Sequence, residues 1–352
     1  MPPLDKYQLE RLAARFKSFA VEQFQSYTPL YEMLALGIAE DHELLNVLFS
    51  DIDDQPVMPL LFLGSVHFLL LKGVEHPLAA YYPSFTDNPD HPENAYPVFR
   101  AFCLEYRAEI RKMLRIRRVQ TNEVQRCACL LPVFELISRR SGGVPLALVE
   151  IGTSAGLHLF WDRYTYDYGD GQVYGDPTSP VRIKCELRGP LFPPLSAPTP
   201  DVAQRIGLDL NPLDVRNPED ALWLQALLWA GHSDRAALLR EAIALVRKEP
   251  PMLVKGNALE TLPGVLAAVP QEAVLCVFHS YTLVQFTPDQ RDLLSSMIAE
   301  AAKERRLYRL AMEWLGGETA RIDLTTLHEE ISEEHLANCH PHGKWLEWLR
   351  SG

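Results

Sequence analysis

The chain's 352 residues suffice for two ordinary domains or one large one, and a hydrophobic content of 47% can fill a sizeable core. With 46 acidic against 34 basic side chains the formal net charge is −12, a mean field that repels phosphate and disfavours broad binding to nucleic acid or anionic membranes. Six Arg or Lys residues between Arg107 and Arg118 read as the solvated face of a helix.

Met1–Glu10 is polar with no apolar h-region after it, so no secretory signal is expected. The pattern from Tyr7 to Phe24, with Leu9, Leu12, Ala13, Phe16, Phe19, Ala20 and Phe24 at 3-4 spacing, predicts an amphipathic helix. Pro29, Asp41 and Pro59 mark further helix starts. The longest apolar run, Val57–Leu71, is interrupted by Gly64, Ser65 and His67. It is also shorter than the roughly 20 residues a bilayer crossing needs, so a buried helix is expected there. Glu75–Pro97 reads as a long loop around Tyr81 and Tyr82, and Tyr96–Ser138 as helix with a break near Gln120-Thr121-Asn122, where Thr121 or Asn122 could cap the second half. These features predict a helical N-terminal domain over 1–140.

After Ser141-Gly142-Gly143 the pattern changes. Val144–Glu150 is a short apolar run feeding a glycine turn, the mark of a buried parallel strand. Further strand-like runs lie at Arg205–Leu210, Met252–Lys255, Val274–Phe278, Leu307–Trp314 and Arg321–Leu327. Helix-like stretches at Ala221–Trp229, Arg235–Arg247, Leu259–Ala268 and Pro288–Arg305 separate most of them. Such alternation predicts an α/β domain over 141–352 with a mostly parallel sheet, closed by a last antiparallel strand within Leu336–Leu349. Tyr164–Gln204, with seven prolines and a strand-like Val181–Leu187, reads as a β-rich insertion. The six scattered cysteines imply free thiols in a reducing cytoplasm. Cys127-Ala128-Cys129 lacks the C-x₂-C spacing of a zinc site, so no metal is expected.

The chemistry is concentrated at strand ends. Glu150-Ile151-Gly152-Thr153-Ser154-Ala155-Gly156 lies at a strand-to-helix turn, where Gly152 permits a tight turn, Gly156 close packing, and Glu150 faces a ligand edge. Asp209 ends a strand where ribose hydroxyls are bound, Asn257 and Ala258 open a helix after another, and Phe278 and His279 end a third. His279 is the candidate general base. Gln120, Asn122, Glu123 and Arg126 are polar groups in an apolar helical region, available to face a small-molecule substrate.

These segments resemble class I S-adenosylmethionine-dependent methyltransferases: Glu150 to Gly156 is similar to their first motif, Asp209 to the acid ending their second strand, and Gly256-Asn257-Ala258 to their "G-D-A" motif. More closely, Gln120–Val124, Gly152–Leu157, Gly175-Asp176-Pro177, Phe278-His279-Ser280 and His342-Gly343 resemble an uncharacterised bacterial family of methyltransferase-like proteins. The resemblance implies a Rossmann-like sheet and S-adenosylmethionine held by Glu150, Gly152, Ser154, Gly156, Asp209, Asn257, Ala258 and Phe278. Asn257 departs from the commoner Asp, and Asp209 comes after the insertion instead of lying about 20 residues after the glycine turn. Two other readings stand beside it. Gly152-Thr153-Ser154-Ala155-Gly156 is also G-x-S-x-G, the nucleophile elbow of α/β-hydrolases, with Ser154 attacking and His279, His328 or His342 as base. The remaining reading is a Rossmann-like binding module without catalysis.

Overall fold

The computed structural model describes residues 3–25, 27–50, 52, 58–196, 199–317, 319–327 and 331–350. Among the described residues six α-helices come first: α1 (Lys6–Phe19), continued by a π-helical turn at Ala20–Phe24, then α2 (Pro29–Glu40), α3 (His42–Phe49), α4 (Met58–Leu71), α5 (Ala95–Glu105) and α6 (Arg107–Ile116). Local chemistry sets their starts. Asp5 and Gln8 form a reciprocal capping box on α1, Pro29 occupies the first turn of α2, and Asp41 accepts the Leu44 amide to open α3. Of the Val57–Leu71 run, Val57 lies outside the described residues and the rest is the buried helix α4, in which Met58 to Leu70 is buried except at Leu60.

A break at 117–123 leads through a 3₁₀ turn (Val124–Arg126) into α7 (Cys127–Arg140) and β1 (Leu146–Ile151). The expected cap is absent there: Asn122 does not cap the turn, and its Oδ1 instead accepts the Leu157 amide at 3.0 Å. The proline-rich stretch carries β2 (Thr165–Asp167), β3 (Val173–Gly175), β4 (Arg182–Lys184) and β5 (Glu186–Arg188). The single strand expected over Val181–Leu187 is broken at Cys185. β4 joins a small sheet in the order β3-β2-β4, while β5 joins the main sheet.

Next come β6 (Val202–Asp209), α8 (Pro218–Ala226), α9 (Ser233–Val246), β7 (Met252–Lys255), α10 (Ala258–Ala267), β8 (Val274–Ser280), α11 (Pro288–Ala301), β9 (Leu307–Gly316), β10 (Thr319–Leu327), β11 (Ile331–Cys339) and β12 (Trp345–Trp348). Among the described residues the main sheet runs β5-β12-β11-β10-β9-β8-β1-β6-β7. β7, β6, β1, β8 and β9 are mutually parallel, so the fold is α/β with a large, mostly parallel sheet. The expectation of one closing antiparallel strand is corrected: β10, β11 and β12 all run antiparallel to their predecessors. The difference is written in residue parity. In β10 the buried Ala320, Ile322 and Leu324 alternate with more exposed Arg321, Asp323 and Thr325, as in an antiparallel sheet with one wetter face. β1 and β8 are buried at every position.

The chain divides into two compact units, 1–121 with 218–237 and 122–217 with 238–352. In the first, Phe16, Phe49 and Phe62 make edge-to-face contacts, Trp229 meets Phe24 at 5.3 Å, and Thr28 Oγ1 donates to Ala230 O at 2.8 Å. These last contacts explain why 218–237 belongs to it. In the second, α10 and α11 cover one sheet face through Leu262, Leu266, Leu294 and Ile298 against Val149, Ile151 and Val277. α7 covers the other: Phe134 stacks on Trp161 at 4.5 Å and meets Phe278 edge-on at 5.4 Å.

A buried histidine makes the first unit sensitive to acid. His67 is held neutral by burial, which lowers its pKa to about 4 against the opposing pull of the Ala226 and Leu228 carbonyls. The folded value lies below the unfolded one, near ~6.5, so the unfolded chain binds the extra proton first. Stability of this unit is therefore expected to fall, by an amount of order 3 kcal/mol, as pH drops from about 6.5 towards 4. Urea midpoints across that range check it, and His67→Gln should flatten the dependence; a slope unchanged by the variant refutes the assignment.

Candidate functional site

All the strand ends singled out by sequence lie in the second unit, at the carboxyl edge of β1, β6, β7 and β8. Strand order reverses between β1 and β8, the place where open α/β sheets bind ligands. Two non-glycine residues have positive φ among those described, Ser154 at 54° and Tyr281 at 57°. Each comes just after one of these two strands. Such conformations cost of order 1–3 kcal/mol and persist where the surroundings over-determine them.

Pleat parity then sorts the candidates. Glu150 and Phe278 are register partners on the α7 face, whereas Ile151 and His279 pair on the α10–α11 face. Glu150 is 1% exposed and fully engaged: Thr153 Oγ1 donates to Oε2 at 2.6 Å, and His158 Nδ1 lies 2.8 Å from Oε1. The other ring nitrogen of His158 lies 2.8 Å from the Glu123 carbonyl. Both nitrogens thus face oxygen atoms, so the ring is held between Glu150 and the Glu123 backbone.

His279, also buried, sits on the far face. Its Nδ1 lies 2.7 Å from Glu313 Oε1, and Arg309 Nε donates to its Nε2 at 3.3 Å. Burial lowers its pKa, with Glu313 opposing, so the ring is neutral and donates through Nδ1–H. Phe278 is a core residue against Phe134.

The glycine turn is held by its own chain. Gly152 has φ 74°, and a Cβ there would collide with Thr282, whose Oγ1 donates to Ile151 O at 3.0 Å. Ser154 N donates to Asp209 Oδ2 at 2.9 Å, while Asp209 Oδ1 accepts the Asn211 amide at 2.8 Å. After Gly156 comes a 3₁₀ stretch, Leu157–Arg163, not the α-helix expected, so no long helix points its amino end at this turn. Asn257 caps α10 by accepting the Leu259 amide at 3.1 Å, and Ala258 packs in the core beneath it.

Of the proposed substrate residues, Gln120 lies in the first unit, and Asn122, Glu123 and Arg126 in the second. Arg126 is buried beside the end of β8: Nη1 donates to Ser280 Oγ at 3.2 Å, Nε to Pro341 O at 2.8 Å, and the guanidinium stacks 4.2 Å from the Tyr281 ring centroid. Glu123 Oε2 lies 3.3 Å from His342 Nδ1. The turn carrying His342 fits because Gly343, with φ 74°, presses on the Gln125 carbonyl where any Cβ would clash. His158, Thr282, Tyr281 and Glu313 join the site without being among the residues that the sequence motifs mark. For His158 a signal existed, one residue past the Gly152–Leu157 phrase; for Glu313, contributed by a neighbouring strand, none did.

A sequence profile of bacterial proteins, described as "Uncharacterized protein conserved in bacteria (DUF2332)", matches residues 13–348. The chain belongs to this family. Curated proteins yield no match. The DUF2332 match spans every segment of the polar cluster, in which contacts join 122–126 to Leu157, Ser280 and His342. Among the described residues no group of three or more His, Cys, Asp or Glu is arranged to hold a metal, and no helix is long and apolar enough to cross a membrane. All six cysteines are free and buried.

Proposed function

We propose that this DUF2332 chain binds S-adenosylmethionine at the carboxyl edge of β1, β6 and β7 and transfers its methyl group to a small-molecule acceptor beyond β8. The observation that carries the reading is the pair of left-handed residues, Ser154 and Tyr281, flanking the point where strand order reverses. The residues at that edge fit a nucleoside. Asp209 is half-buried at the end of β6, and Leu210 beside it is 68% exposed, an apolar surface for a flat ring. Asn257 stands level with them at the start of α10. Glu150 is not in this set, because Thr153 and His158 take up its carboxylate; its role is to fix the turn. The bound cofactor would supply an electrophilic methyl, leaving the protein to align the acceptor and manage its proton. Arg126 and Tyr281 stand at the acceptor side.

Calorimetric titration with S-adenosylmethionine and S-adenosylhomocysteine tests this. Saturable binding is expected, weakened about 10- to 100-fold by Asp209→Ala, roughly 1.4–3 kcal/mol. No binding of either compound overturns it. The hydrolase reading keeps one specific support, the φ of 54° at Ser154, the strain a nucleophile elbow carries. Against it, Ser154 is buried and both ring nitrogens of His279 are committed; His328 lies outside the described residues. Hydrolysis of p-nitrophenyl esters that disappears in Ser154→Ala, without cofactor binding, would put this reading first.

A further inference from the structure

The segment 122–126 and the turn 340–343 are fastened together and hold an acid–base pair between them. Arg126 Nε donates to Pro341 O at 2.8 Å, and Gly343 is pressed against the Gln125 carbonyl. The turn closes on itself, with His342 N donating to His340 Nδ1 at 3.0 Å and Gly343 N to His340 O at 2.8 Å. Within this frame the Glu123 side chain is 5% exposed and that of His342 28%, with Glu123 Oε2 3.3 Å from Nδ1. The buried carboxylate at ion-pair distance stabilises the imidazolium that forms, and because Nδ1 is buried the part-exposed ring takes its proton at Nε2. The other charged or titratable groups around the pair are His340, whose ring lies 5.6 Å away, Arg126, and His158 on the Glu123 carbonyl.

We infer that His342 accepts a proton from the compound processed at this edge, with Glu123 as its positioning residue, so that the methyl acceptor carries an ionisable O–H, N–H or S–H. The inference rests on the methyl-transfer reading above. In the step, the acceptor heteroatom forms a bond to the methyl carbon as the sulfur–methyl bond breaks. The electron pair of the broken bond goes to sulfur, which leaves as a neutral thioether, and the heteroatom's proton passes to His342 Nε2.

Two measurements on the full chain separate this inference from the reading beneath it. NMR titration of labelled imidazoles needs neither cofactor nor acceptor. The Glu123 carboxylate favours imidazolium, so Glu123→Gln is expected to lower the His342 midpoint by about one pH unit. An unchanged midpoint overturns the pairing whatever the cofactor does. The second measurement offers methyl-labelled S-adenosylmethionine with phenols, primary amines and thiols, and with indoles as carbon acceptors. Label is expected on a heteroatom acceptor, falling about 10²- to 10⁴-fold in His342→Gln and His342→Asn while calorimetric cofactor binding is unchanged. Glu123→Gln should shift the pH–rate profile to lower pH. Label on carbon alone, no label despite bound cofactor, or more than half the rate in both His342 variants overturns it. If the cofactor does not bind, the methyl-transfer reading falls and the acceptor class falls with it.

Discussion

Glu150→Ala is expected to lower the unfolding free energy of the sheet-bearing unit by about 3–5 kcal/mol. The carboxylate is buried at the centre of the sheet, and its removal strips two groups at once. Thr153 Oγ1 loses its acceptor, and His158 is left with a ring nitrogen facing nothing in a site closed to water. Glu150→Gln keeps the size and an acceptor oxygen, and should cost about 1–3 kcal/mol. Hydrogen exchange of the β1 and β8 amides reads the opening of this unit directly, without interference from the other. A loss below about 1 kcal/mol for the alanine variant would mean that Glu150 is dispensable to the turn, and so available for a ligand after all.

The second large effect is expected at Gly343→Val. The residue has φ 74°, where a β-branched side chain is strained by about 1–2 kcal/mol, and its Cβ would strike the Gln125 carbonyl, an overpacking cost of about 1–3 kcal/mol. The turn must then shift away from 122–126. Loss of about 2–5 kcal/mol in the same exchange experiment should come with loss of the coupling between Glu123 and His342 in the NMR titration. Gly142→Val is a suitable control, since Gly142 also has positive φ but nothing stands within 4 Å of an added Cβ. Equal losses at both positions would reduce the Gly343 effect to backbone strain alone.

How far the sequence reaches depends on how local the cause is. Most caps, the glycine turn and the strands β1 and β8, apolar but for Glu150, His279 and Ser280, are properties of a few neighbouring residues, and they are legible. The split at Cys185 is not, because it depends on which partner each half finds: β4 pairs with β2, β5 with β12. The antiparallel end is in part readable, since the alternation in Arg321–Leu327 carries the period of a sheet with one wet face. At the site, the glycine turn and Asp209 stand close together, as the reading requires, and Ser154 N meets the Asp209 carboxylate. Placing Glu150, expected at the cofactor, relative to His279, the candidate base, needs the pleat to be counted: they are an odd number of positions apart across paired strands, and so face opposite sides. Gly343 lies more than two hundred residues from the segment it supports, and no local pattern connects them.

The first unit is completed by residues 218–237, a stretch that leaves the sheet-bearing unit after β6 and returns within α9. Neither unit is therefore a contiguous fragment, and no single proteolytic cut or expression boundary can release one intact. A fragment of 1–121 would lack Trp223, Trp229 and the carbonyl of Ala230, baring the aromatic surfaces of Phe68 and Phe24. A fragment starting at residue 122 would carry those tryptophans with nothing to cover them. Both are expected to aggregate when made alone. For a ribosome making the chain in order, the helical unit stays incomplete until roughly two-thirds of the protein has been synthesised, so its helices must wait, soluble, for a segment that belongs in sequence to their neighbour.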